Sequence, residues 1–178
     1  MFPFSSARPA TDDEQFDDWE TFAADVLPDP GPFLEGHDVL AGDDHVDFHQ
    51  CTRELFEERG VYDATFGYNL ARLNLDRRHP EAGYRYALEA DDPTVLRAEF
   101  TPTTAFCPQA EALVTGSFRA WNGLRDRHEY DLVRVRVHPS HHQAELLAET
   151  LTTLEEEFLE AGAVPEPDRP STDSSLPF

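Results

Sequence analysis

At 178 residues the chain suits one domain with tails and can bury a sizeable core. Its 36 acidic residues against 14 basic ones give a net charge of −22, and the lack of any basic stripe argues against nucleic-acid binding. No apolar run approaches a membrane span, and MFPFSSARPATDDEQ has no charged segment leading into a long apolar one, so we expect a cytoplasmic protein without membrane association.

Every basic residue is Arg, and the acidity is spread along the chain, which is the composition of halophilic proteins. A carboxylate-rich surface stays hydrated when molar salt screens its self-repulsion to within about 3 Å. Most of this charge therefore reflects the solvent and not a partner. Two cysteines make no disulfide framework, and both are expected to be reduced thiols.

Residues 1–10 offer little that packs and are expected to be disordered. Thr11 N-caps a helix over DDEQFDDWETFAADVL, where Phe16, Trp19, Phe22, Ala23 and Val26 share one face. LPDPGPFLEG, residues 27–36, is a linker or an ordered loop, and the main domain is expected over 37–162. There DDHVDFHQCTRELFEERG is a helix closed by Gly60, with Phe48, Cys51, Leu55 and Phe56 inward. Residues 61–75 read equally as strand or helix. YRYALEA, a DDP turn and TVLRAEFTP make an antiparallel hairpin. PQAEALVTGSFRAWNGL is a helix with Pro108 at its first position, and YDLVRVRVHP is a strand. SHHQAELLAETLTTLEEEFLEAG is a long helix with an inward stripe of Ala144, Leu147, Leu151, Leu154 and Phe158 and a solvated EEE at 155–157. Residues 163–178 are an acidic, Pro-rich tail expected to be disordered. This order predicts an α+β fold: a β-β-α-β-α core whose hairpin and third strand form a small mixed sheet covered by helices, with an N-terminal helical addition.

Cys107 stands where a strand ends and a helix begins. Pro102 breaks the ladder, Thr101, Thr103 and Thr104 favour a turn, and Pro108 pre-sets the first helical turn. Unpaired N–H groups and the positive end of the helix dipole converge there, so the thiol pKa is expected to fall from about 8.5 toward neutrality. Free Cys is equally at home as a small buried hydrophobe.

The stretch EFTPTTAFCPQAEAL resembles the signature of the iron–sulphur cluster assembly domain. That family includes the SUF-associated maturation factors, the PaaD-type proteins and the small subunit of the cytosolic iron–sulphur targeting complex. VHPSHHQAE, with Pro139, His142 and Glu145 at three-residue spacing, resembles a second family segment, and the likeness covers roughly residues 84–160. Members usually carry an Asp-Pro-Glu motif well upstream of the Cys. This chain has none, and HPE at 79–81 is too close to Cys107 to be that element. The resemblance implies a non-enzymatic factor that binds an iron–sulphur cluster transiently through Cys107, with Thr101, Thr103 and Thr104 shaping the turn and solvating the thiolate, and His142 as a secondary candidate. One thiolate does not complete a cluster's ligand set, so a scaffold protein, a client or a second copy in a homodimer must supply the rest.

Two readings from other classes compete. One is an interaction module that keeps the fold without the chemistry; the other is a metal- or thiol-dependent enzyme pairing Cys107 with a histidine. A second candidate metal site is His45 with His49, which share a helix face at i and i+4, while Cys51 is rotated roughly 200° from His49. A solvated helix N-terminus is the simpler account of that pair. His141 and His142 are expected to be exposed at a helix start. Phosphate-binding Gly loops and a G-x-S-x-G nucleophile elbow are absent from the sequence.

Overall fold

A computed structural model describes residues 16, 19–20, 27–63 and 67–162. The tails at 1–10 and 163–178 and most of the helix expected over 11–26 lie outside the described residues. The fold is α+β, in the order β1 (Asp38–Val39), α1 (Asp43–Arg59), β2 (Tyr62–Asp63), β3 (Tyr68–Asn69), a 3-10 turn (Leu70–Leu75), β4 (Gly83–Glu89), β5 (Asp92–Thr101), α2 (Ala110–Gly123), β6 (Leu132–Val137) and α3 (Ala144–Ala161). No helix among the described residues is long and apolar enough to cross a membrane.

The main sheet runs β1-β4-β5-β6, antiparallel except for the parallel pair β5 and β6. Parallel neighbours need a crossover, which α2 provides. The expected three-stranded sheet is thus one strand short. The two residues of β1 are too few to show alternation in sequence, yet they pair with Ala87 and Leu88. Residues 61–75 resolve into the small β2–β3 hairpin and the 3-10 turn, where the Asn69 side chain accepts the N–H of Ala71. Helix α1 ends as the sequence predicts, on Gly60 in the left-handed region at φ 72°.

Strand alternation sorts the sheet into two unlike faces. Tyr84 faces Phe100 and Tyr86 faces Ala98, while Leu96, Ala98 and Phe100 face Val133, Val135 and Val137. This apolar face meets α1 and α2 in an aromatic core in which Phe56 and Trp121 both pack on Tyr84. Inside it Thr52 accepts the Trp121 indole N–H at 3.0 Å and donates to the Phe48 carbonyl at 2.9 Å. The interleaved residues Arg85, Arg97, Glu99, Arg134 and Arg136 make the opposite face charged.

Residues 27–36 form an ordered strap over that charged face. The buried Glu99 carboxylate accepts the N–H of Gly31 at 2.5 Å and of Phe33 at 3.3 Å. Arg97 donates to the Phe33 carbonyl at 2.9 Å and Arg85 to the Pro28 carbonyl at 3.1 Å. The guanidiniums of Arg97 and Arg136 lie 4.5 and 5.1 Å from the Phe33 ring centre. The expectation of a solvated EEE run needs correction at its first member: Glu155 is buried and paired with Arg134 and Arg136. A carboxylate on the side of α3 facing β6 is there to neutralise two strand arginines that water reaches only partly.

Candidate functional site

Strand β5 ends at Thr101, and Cys107 lies in the connection to α2, three residues before the helix begins. Gln109, not Cys107, occupies the N-cap position, and Pro108 precedes the helix instead of opening it. The half-buried Cys107 sulphur still receives the N–H groups of Gln109 and Ala110 at the start of the helix, the second also directed at the Cys107 carbonyl at 3.4 Å. Burial pushes this thiol up, the Gln109 amide pulls it down, the Asp63 carboxylate pushes it up, and the Ala110 amide pulls it down, for a net rise. The expected fall toward neutrality is therefore corrected. The donors converge as the sequence implies, but desolvation outweighs them.

Asp63 is a site residue that sequence reading missed. It is buried at the end of β2, 44 residues before Cys107, and its charge acts on the thiol. No local motif marks it in the sequence. The available signal was its place, three residues after the Gly60 that closes the helix.

Two histidines hold the Cys107 loop from the other side. His141 has its Nε2 3.0 Å from the Cys107 carbonyl, while its Nδ1 accepts the Gln143 N–H at 3.1 Å. These two bonds together assign the ring proton to Nε2, which donates to Cys107. His142 donates twice to the Ala105 carbonyl, from its backbone N–H at 2.9 Å and from Nδ1 at 2.8 Å. Helix α3 starts only at Ala144, so both residues belong to the loop and adjacent side chains can engage one site. The expectation that both are exposed holds for His142 alone; His141 is buried. Over the loop the Phe106 ring tilts against His142 at 5.0 Å.

Thr101, Thr103 and Thr104 line a cavity of about 400 Å³ with His79, Glu81 and Ser140, and Cys107 is not in its wall. Glu81 there carries a positive φ of 71°, unusual for a residue with a Cβ. Thr104 does shape the turn, its Oγ1 accepting the Phe106 N–H at 3.3 Å.

His45 and His49 share a helix face and stack at 5.4 Å, but that face is the core and not a solvated N-terminus. His49 uses both ring nitrogens, Nδ1 at 2.6 Å from the Tyr86 hydroxyl and Nε2 at 2.6 Å from the Ala71 carbonyl. Burial lowers its pKa to about 4 and that of His45 to about 2. Cys51 points elsewhere, donating to the Arg127 carbonyl at 3.5 Å. Among the described residues no group of three or more His, Cys, Asp or Glu is placed to hold a metal ion.

A family model described as a domain of unknown function, DUF7998, matches residues 14–165. No curated protein and no solved structure matches the chain.

Proposed function

The chain belongs to the DUF7998 family, and we propose that it is a non-enzymatic cytoplasmic factor for assembling iron–sulphur clusters or targeting the proteins that receive them, with Cys107 as the exchange ligand. The observation that carries this reading is the surroundings of one sulphur: two amides at the start of α2 address it and the charge of the buried Asp63 reaches it through space. Burial first, and the Asp63 charge after it, disfavour a bare thiolate here. An arriving iron ion reverses the balance, since both groups then attract the cation and the thiol proton leaves. Such a site stays protonated at rest and takes metal on contact. The β-β-α-β-α order from β4 to α3, with β5 and β6 parallel, supports the same reading, as does the resemblance of the Cys107 turn.

The competing thiol-enzyme reading needs an imidazole on the sulphur. His141 instead addresses the Cys107 backbone carbonyl. Anaerobic reconstitution with iron and sulphide tests the proposal. We expect thiolate-to-iron absorbance near roughly 400 nm that Cys107→Ser abolishes and Cys51→Ser leaves. Equal uptake by both variants, or none by the wild type in the presence of a thiol donor, refutes cluster handling and leaves the interaction module.

A further inference from the structure

Another cavity, of about 370 Å³, shares no residue with the Cys107 loop. Asp44, Asp47, Phe48 and Cys51 line one side of it, at the i, i+3, i+4 and i+7 spacing of a single face of α1. His128, Glu129 and Tyr130, from the chain between α2 and β6, line the other, and Leu40 and Leu88 add apolar wall. Three rings meet there. Phe48 stands at 74° to Tyr130 with centres 5.6 Å apart, and at 71° to His128 with centres 6.2 Å apart. The His128 ring is uncharged: Nδ1 accepts the Tyr130 N–H at 3.1 Å, so the one proton sits on Nε2, 2.7 Å from the Trp121 carbonyl. With both nitrogens engaged it offers a ring face and no metal ligand. Asp44, Asp47 and Glu129 are exposed, and among the described residues none of them is in an ion pair. The nearby arginines are engaged elsewhere, Arg127 with Glu58 at 2.6 Å and Arg125 over the Phe158 ring, 5.4 Å from its centre. Burial first, then the Glu129 and Asp44 charges, push the Tyr130 pKa up to about 12, so negative potential reaches the rings.

We propose that this cavity binds a small organic cation, an alkylated ammonium, with its charged head against the rings of Phe48 and Tyr130 inside the carboxylate rim. Hydration selects the occupant. In concentrated salt the carboxylates alone discriminate nothing, because inorganic cations surround them and screen their charge. An alkali ion holds its water too tightly to profit from a ring face. An alkylated ammonium is weakly hydrated, so it gains from the negative faces of the rings and from the apolar wall together. That contact acts at van der Waals range, within the screening length. A divalent metal finds no set of ligands here, since among the described residues no three His, Cys, Asp or Glu are placed to hold one. An anion would meet three unpaired carboxylates, and a neutral ligand would gain nothing from them.

Calorimetric titration of the full chain with choline, in about 2 M potassium chloride, tests this. The control is choline's uncharged isostere, in which a tert-butyl group replaces the trimethylammonium. Choline should bind at least about tenfold more tightly than the isostere. Tyr130→Leu keeps apolar bulk but removes the ring and should weaken choline at least about threefold, whereas Tyr130→Phe keeps the ring and should stay within about twofold of the wild type. In a Cys107→Ser background choline should slow alkylation of Cys51, which lines the cavity. Absence of binding by both choline and tetramethylammonium overturns the proposal. Equal affinity for the isostere, or a Tyr130→Leu chain that binds as well as Tyr130→Phe, overturns it too. A Lys-rich peptide that binds this cavity more tightly than choline would overturn the small-molecule occupant.

Discussion

The backbone N–H of Gly31 lies 2.5 Å from the Glu99 carboxylate, and this contact ties the strap to the sheet through a buried charge. Glycine is required there by space. A Cβ on residue 31 would fall 2.5 Å from the His138 ring and 2.6 Å from the nearer Glu99 oxygen. Gly31→Ala should therefore lower unfolding free energy by about 1–3 kcal/mol through overpacking. Glu99→Gln should cost a similar amount, about 1–3 kcal/mol, by weakening charge-assisted bonds to two amides. Denaturant titration in high salt measures both, and unchanged midpoints would mean that the strap adds nothing to stability.

Acid sensitivity should come from the core imidazoles. The unfolded chain takes up a proton on His49 at about 6.5, whereas the folded chain resists until about 4. The folded pKa is depressed, so stability is present above about 6.5, is lost as pH falls toward 4, and stops falling below that. His49 alone accounts for about 3 kcal/mol across this window, and His45, lowered further, adds in the same direction. Comparison with His49→Gln isolates the effect: the variant should show a flatter loss of stability between pH 7 and 4, and parallel curves would refute it.

Cys107 and Asp63 yield a prediction with two opposite readouts. Removing the charge by Asp63→Asn should lower the Cys107 pKa and speed its alkylation at about pH 8 in a Cys51→Ser background. The same change should weaken retention of ferrous iron at that thiol, because the cation loses a carboxylate. Alkylation that quickens together with tighter iron binding would contradict the electrostatic account of the site.

His141→Ala should remove the shorter of two donors to the half-buried Cys107 carbonyl, leaving it the Ala110 N–H at 3.4 Å, and cost about 0.5–1.5 kcal/mol. Amide exchange should then quicken in the Cys107 loop ahead of global unfolding. His142→Ala retains the backbone N–H to Ala105 and should cost less. Equal exchange profiles in both variants would show that neither imidazole orders the loop.

Much of the architecture was legible because it repeats along the chain. Period-two alternation located β4, β5 and β6, and the stripe from Leu147 to Phe158 located α3. Gly60 and Gly162 marked helix ends, since both adopt the left-handed conformation that their lack of a Cβ permits. Strand β1 escaped detection because two residues carry no period. Likewise the buried roles of Glu155 and His141 escaped it, because each faces a partner far away in sequence.

By itself the sequence determined the α+β order, the uncharged character of the Cys107 turn, and the placement of that thiol between a strand and a helix. Those properties follow from local pattern and composition. Only tertiary structure decided that the Asp63 charge reaches Cys107, that His141 and not His142 holds its carbonyl, and that the thiol pKa rises instead of falling. Desolvation and charge act through space, so the ionisation of one sulphur depends on what the fold brings beside it.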